Sequence, residues 1–145
     1  MEEKDGYLYV TKVWAEGETI RLNFPMEIQL LASNPLVRED AGRVTVKRGP
    51  VVYCMEEVDN GKNLHLTKIC VNGAKTAEAV DEMGEHFVRV FAEGRRVKMG
   101  DAEKQPLYHL YRKEEEETTE LKLIPYYMWN NRGEGEMQVW IRACE

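Results

Sequence analysis

At 145 residues the chain has the size of one ordinary domain, with room for one sizeable core. Its 43% hydrophobic and 32% charged residues give a globular composition and exclude a disordered one, and no apolar run approaches the roughly 20 residues that cross a bilayer. The formal net charge is −6, and no basic cluster is longer than Lys47-Arg48 or Arg95-Arg96, which excludes the basic face that nucleic-acid phosphates require.

In chain order the periodicity is that of strands. The opening MEEKDGY is acidic and polar, unlike a signal peptide. YLYVTKVW is rich in β-branched and aromatic residues, and in TIRLNF the apolar Ile20, Leu22 and Phe24 alternate with Thr19, Arg21 and Asn23. With the glycine-containing AEGE (Ala15 to Glu18) between them, the two runs predict a hairpin. MEIQLLAS follows Pro25, a residue that suits a strand start or an edge and not a central strand position, because proline has no N–H to give a central ladder.

RVTVKR alternates, Gly49-Pro50 interrupts, and VVYC is continuously apolar, which predicts burial on both faces, as in the middle of a sandwich. DNGKN (Asp59 to Asn63) and VNG (Val71 to Gly73) carry turn signals. TAEAVDEMG (Thr76 to Gly84) has a weak helical pattern and is read as a loop with one turn of helix. HFVRVFAEG is another strand, RKEEEETTE (Arg112 to Glu120) a solvated loop or strand end, and ELKLIPYY the next strand. EMQVWIR is the last, with Met137, Val139 and Ile141 on one face and Trp140 on the other. About eight to ten mostly antiparallel strands predict an all-β fold, a β-sandwich or jelly roll, as a single domain over residues 1–145.

Candidate chemistry is sparse. His65, His86 and His109 fall on separate predicted strands without metal-ligand spacing, and neither CxxC nor HExxH occurs. Cys54, Cys70 and Cys144 are odd in number and far apart, which favours a reducing, cytoplasmic compartment over a disulfide framework. Cys54 and Cys70 lie in apolar runs, where a thiol acts as a small hydrophobe; Cys144 is almost terminal and receives no role. Glu115 to Glu117 read as solvated, and Glu134 and Glu136 flank turn glycines, so neither group forms an apolar-walled glycosidase pair. No residue is assigned to catalysis, to a cofactor or to a metal.

The stretch PYYMWNNRGEGEMQVWIR is the exception in density. Tyr126, Tyr127, Trp129, Arg132 and Trp140 are the candidate contact residues, either for a protein interface or for a glycan, whose apolar C–H faces suit aromatic rings. The competing reading is burial between sheets or against another domain, where aromatics contribute large area. Asn130, Asn131, Gly133 and Gly135 suit a turn with positive φ, and Arg132 is expected to tie that turn to a carboxylate or carbonyl through its planar fork.

Three segments, GYLYVTKVWAEGETIRLNFPM, GRVTVKRGPVVYCMEEVDNG and IPYYMWNNRGEGEMQVWIR, resemble in this order the C-terminal region of glycoside hydrolase family 127, the family of bacterial β-L-arabinofuranosidases. The resemblance implies an (α/α)6 catalytic barrel followed by β-sandwich domains. It also implies chemistry confined to the barrel, where a cysteine nucleophile sits in a zinc site of one glutamate and three cysteines, two of them adjacent. This chain has neither a Cys-Cys pair nor a Glu-x-Cys, so no catalytic or zinc position carries over. The expectation is an accessory domain that buttresses the catalytic barrel and contributes to a homodimer contact. The alternative is a module that binds arabinose-containing glycans.

Overall fold

The computed structural model describes residues 1–101 and 104–145. A separate hairpin comes first: β1 (Glu2–Lys4) and β2 (Tyr7–Tyr9) pair across Asp5-Gly6, whose φ values of 53° and 79° are those of a tight two-residue turn. The main sheet contains β3 (Ile28–Ala32), β4 (Arg43–Arg48), β5 (Val51–Glu56), β6 (Thr67–Cys70), β7 (Lys75–Glu82), β8 (Glu85–Val97), β9 (Glu116–Pro125), β10 (Met137–Gln138) and β11 (Ile141–Cys144). A one-turn helix, α1 (Glu57–Asn60), follows β5.

The all-β expectation holds, and so does the mostly antiparallel pairing; β11 beside β6 is the parallel pair. The two-layer sandwich or jelly roll is replaced by a barrel. β4, β5, β9, β8, β6 and β11 hydrogen-bond in that order and β11 returns to β4, closing a 6-strand barrel. The cause is edge sharing. One edge of β8 pairs with β7 through Ala92 and then with β6 from Gly94, while one edge of β4 serves β11 at Arg43-Val44 and β5 at Lys47-Arg48. A strand whose edge passes from one neighbour to another bends the sheet around on itself. Gly94 permits this, since a Cβ there would lie 2.6 Å from the Lys68 carbonyl oxygen.

Alternation then divides the core. Val46, Tyr53, Met55, Ile69, Val90, Leu121, Leu123 and Ile141 fill the barrel interior. Cys54 and Ile124, one residue out of phase, point outward into a second cluster with Phe87 and Met128. Tyr53 and Cys54 are thus buried on opposite faces, by the barrel core on one side and the covering loop on the other, whereas Val52 is exposed, so the expected burial of VVYC on both faces holds only for its second half.

Three local expectations are corrected. Thr76 to Gly84 forms most of β7 and its turn: Ala77 and Ala79 pair with Val90 and Val88, and Met83-Gly84 (φ 55° and 77°) closes the hairpin. EMQVWIR is two strands, because β10 pairs with β5 whereas β11 has crossed to β4 and β6, leaving Val139-Trp140 as a barrel corner. The hairpin predicted from YLYVTKVW and TIRLNF is absent: residues 10–27 form no strand, although the Ala15 to Glu18 turn is made (Glu18 N donates to Ala15 O, 3.2 Å). An alternating strand is stable only when its apolar face is covered, and here Leu22 and Phe24 remain 64% and 67% exposed. This arm is anchored where Met26 lies over Gly49 and the Gly49 N–H donates to the Glu27 carbonyl at 3.3 Å.

Candidate functional site

Pro125 ends β9, and the chain turns through one 3-10 turn, Tyr126–Met128, with the Trp129 N–H donating to the Tyr126 carbonyl at 3.1 Å. Met128 is the inward anchor, buried in the outer cluster with Cys54 and Ile124. Its neighbours therefore point out: Tyr126, Tyr127 and Trp129 are 46%, 66% and 41% exposed. The rings of Tyr126 and Trp129 stack at 6.2 Å between centroids and 14° between planes. Trp140 is half-buried at the β10–β11 corner, where its carbonyl accepts from Gln138 Nε2 at 2.9 Å.

Arg132 is not a surface residue. Its side chain is 6% exposed, and its guanidinium is shared among three carboxylates. Nη2 donates to Glu56 Oε2 and Asp59 Oδ2 at 2.5 Å each, Nε to Glu56 Oε2 at 3.1 Å, and Nη1 to Glu82 Oε1 at 3.3 Å. The other Glu56 oxygen accepts the Asn130 N–H at 2.9 Å, so one carboxylate holds both ends of the 130–132 turn. Glu82 is also paired with Arg89, whose guanidinium lies over Phe87. The expected tie from Arg132 to a carboxylate is present and is threefold. Burial opposes the charge on Arg132, but its bonds to Asp59 and Glu56 outweigh that and raise its pKa.

Two acidic residues fasten the turn further along. Glu136 accepts from the N–H groups of Leu64 (2.7 Å) and Asn63 (3.0 Å), which hold its carboxyl below the usual range. The Glu136 N–H donates to Glu57 Oε2 at 3.1 Å. Burial pulls Glu82 upward, but hydrogen bonds from Arg89 and Arg132 prevail and lower it. Among the described residues, the displaced carboxyls, Glu18, Glu82, Glu116 and Glu136, all move downward, opposite to what a general acid needs. Around the loop, Glu56, Asp59, Glu82 and Glu136 act as fasteners for a segment that displays three aromatic rings.

Among the described residues, no three His, Cys, Asp or Glu side chains are grouped to hold a metal. Cys54 lies in the outer cluster, and burial pushes its thiol up to about 12, with the Glu56 charge adding to the effect. Only Cys70 and Cys144 meet, so the donor set of the implied zinc site is not assembled from this chain's residues. His86 lies in β8, whereas His65 sits in a 3-10 turn and His109 outside any strand, correcting their placement on strands. No helix among the described residues is long and apolar enough to cross a membrane.

Glu56, Asp59 and Glu82 were not candidates from the sequence. One signal was available for Glu56: alternation through VVYCME puts it on the face of Cys54, and a carboxylate on a covered face requires a cation. Beyond the loop, an open groove of about 550 Å³ runs between Phe24-Pro25 of the arm and Lys47, Gly49 and Pro50, with Glu27 as its one acid.

A family model described as "Glycoside hydrolase family 127 C-terminal domain" matches residues 28–142. A non-reducing end β-L-arabinofuranosidase of Bifidobacterium longum subsp. longum is 35% identical over 150 residues, which is 96% of this chain and 22% of that protein. The crystal structure of a GH127 β-L-arabinofuranosidase from Geobacillus stearothermophilus T6 superposes with a TM-score of 0.77 at 37% identity, covering 83% of this chain and 19% of that one. A structure titled as a GH127 β-arabinofuranosidase superposes with a TM-score of 0.66 at 31% identity, covering 81% and 18%. The chain thus spans about a fifth of the length of these relatives.

Proposed function

The chain belongs to the glycoside hydrolase family 127 C-terminal domain family, and we propose that it is a non-catalytic accessory domain that docks on and buttresses the family's helical catalytic barrel. The observation that carries this reading is the arm at residues 10–27. Val13, Trp14, Ile20, Leu22 and Phe24 are all exposed on it, and Ile20, Leu22 and Phe24 have the spacing that puts them on one face of a strand if a second surface were supplied to cover them. The carboxylates support the same reading, since those around the aromatic loop are engaged by arginines or backbone N–H groups. Hydrolysis and zinc chemistry then belong to the barrel and not to this chain's residues.

The test is hydrolysis of an aryl β-L-arabinofuranoside by the purified chain. No turnover above buffer is expected; turnover that survives repurification would overturn the reading. A second reading is favoured by one observation, the stacked and half-exposed Tyr126–Trp129 pair, which offers a flat apolar surface to a furanose ring. It predicts quenching of tryptophan fluorescence by arabinan fragments, abolished by Trp129→Ala. Self-association that is lost on substitution in the aromatic loop would assign these rings to a homodimer contact instead.

A further inference from the structure

We propose that Cys70 and Cys144 are a disulfide-forming pair that staples the parallel β6–β11 seam of the barrel. The two residues are direct register partners in the parallel β6–β11 pair, so their side chains leave the sheet on the same face. Their sulfurs are 3.3 Å apart, and paired parallel strands lie about 4.8 Å from one another, inside the Cα range that an unstrained disulfide accepts. The seam is short at this point. β11 has 4 residues, and below Cys144 it is held by the Val71 N–H donating to the Cys144 carbonyl at 2.8 Å. Cys70 is 4% exposed, whereas Cys144 is only partly buried, which makes Cys144 the thiol that an external reagent meets first.

The oxidant is a low-molecular-weight disulfide. The Cys144 thiolate attacks one of its sulfurs, forming a mixed disulfide and releasing one thiolate. Cys70, deprotonated in turn, attacks Cys144 Sγ and displaces the second. Two protein thiols are oxidised, the reagent's sulfur–sulfur bond is reduced, and the two protons end on the two released thiols. Burial, and then the adjacent Cys70 thiol, push Cys144 up to about 11, so the reaction is slow at neutral pH and accelerates as pH rises. A reducing compartment keeps the pair as dithiol.

The experiment is incubation of the reduced chain with excess oxidised glutathione at mildly alkaline pH. Intact mass, non-reducing peptide mapping and thermal unfolding are the readouts. The expected result is a mass loss of two hydrogens, a Cys70–Cys144 linked peptide, and Cys54 still free to react after unfolding. The residues are 74 apart, so closing the loop should raise the unfolding midpoint by on the order of 10 °C, reversed by dithiothreitol and absent in Cys144→Ser. A glutathione adduct that persists on Cys144, free thiols after prolonged exposure, or a link through Cys54 would overturn the pairing. A correct link with no rise in the midpoint would overturn the staple.

Discussion

Arg132→Ala removes the one cation that Glu56, Asp59 and Glu82 share. The side chains of Arg132 and Glu56 are each 6% exposed, so solvent screens little of the loss, and breaking a buried pair from one side costs roughly 3–5 kcal/mol. The upper end is trimmed by protonation. A glutamate stranded without its cation escapes by binding a proton, and for a free glutamate at pH 7 that costs about 3.7 kcal/mol. The difference between variant and wild type should therefore be about 3–4 kcal/mol at neutral pH and shrink by up to about 1.4 kcal/mol for each pH unit of acidification. Urea unfolding followed by circular dichroism measures it, with tryptophan emission reporting release of the loop that carries Trp129. Glu56→Gln combined with Arg132→Met should lose less than Arg132→Ala alone, because no charge is stranded. A variant within about 1 kcal/mol of wild type at pH 7, or a deficit that does not change between pH 7 and 5, would refute this view of the cluster.

The folded-state pKa of Glu82 lies below its ordinary value of 4.5, because arginine hydrogen bonds outweigh burial; its stabilisation is present above about that pH and lost as pH falls through the folded value. Glu82→Gln should therefore lose less stability than wild type between about pH 5 and 3 in urea titrations, and an equal acid slope would contradict the assignment. Gly94→Ala places a Cβ 2.6 Å from the Lys68 carbonyl oxygen and 2.8 Å from Leu121 Cγ. Since backbone must move, a loss of about 1–3 kcal/mol in thermal or urea unfolding is expected, and a neutral result would mean that β6 and β8 separate easily. Cys54 has no exposed surface and a thiol pushed up to about 12, so iodoacetamide should label it only after unfolding. Labelling of the native chain would place it elsewhere than in the outer cluster.

Alternation in the sequence reported the strands that see two environments. RVTVKR, HFVRVF and ELKLI all became barrel strands, as did the continuously apolar VVYC, since each has one face in the barrel interior. Barrel closure was not legible, because alternation and strand count are the same for a sandwich; the difference lies in which edge of β4 and β8 passes from one neighbour to the next. TIRLNF shows the converse: perfect alternation, but no strand without a covering surface. Thr76 to Gly84 looked weakly helical because Ala and Glu favour helices, yet the Met83-Gly84 turn and the register with Val88 and Val90 prevailed. At the aromatic loop, Arg132 was legible as a fastener. Its three acids come from β5, α1 and β7 and converge only in space.

The decisive measurement mixes this chain with the four fifths of the Geobacillus relative that it does not match, and follows complex formation by light scattering after size-exclusion chromatography. A one-to-one complex that is weakened by Leu22→Ser with Phe24→Ser, and unaffected by Trp129→Ala, is the predicted result. No complex at all, or one that depends on Trp129 and ignores the arm, would contradict the docking role.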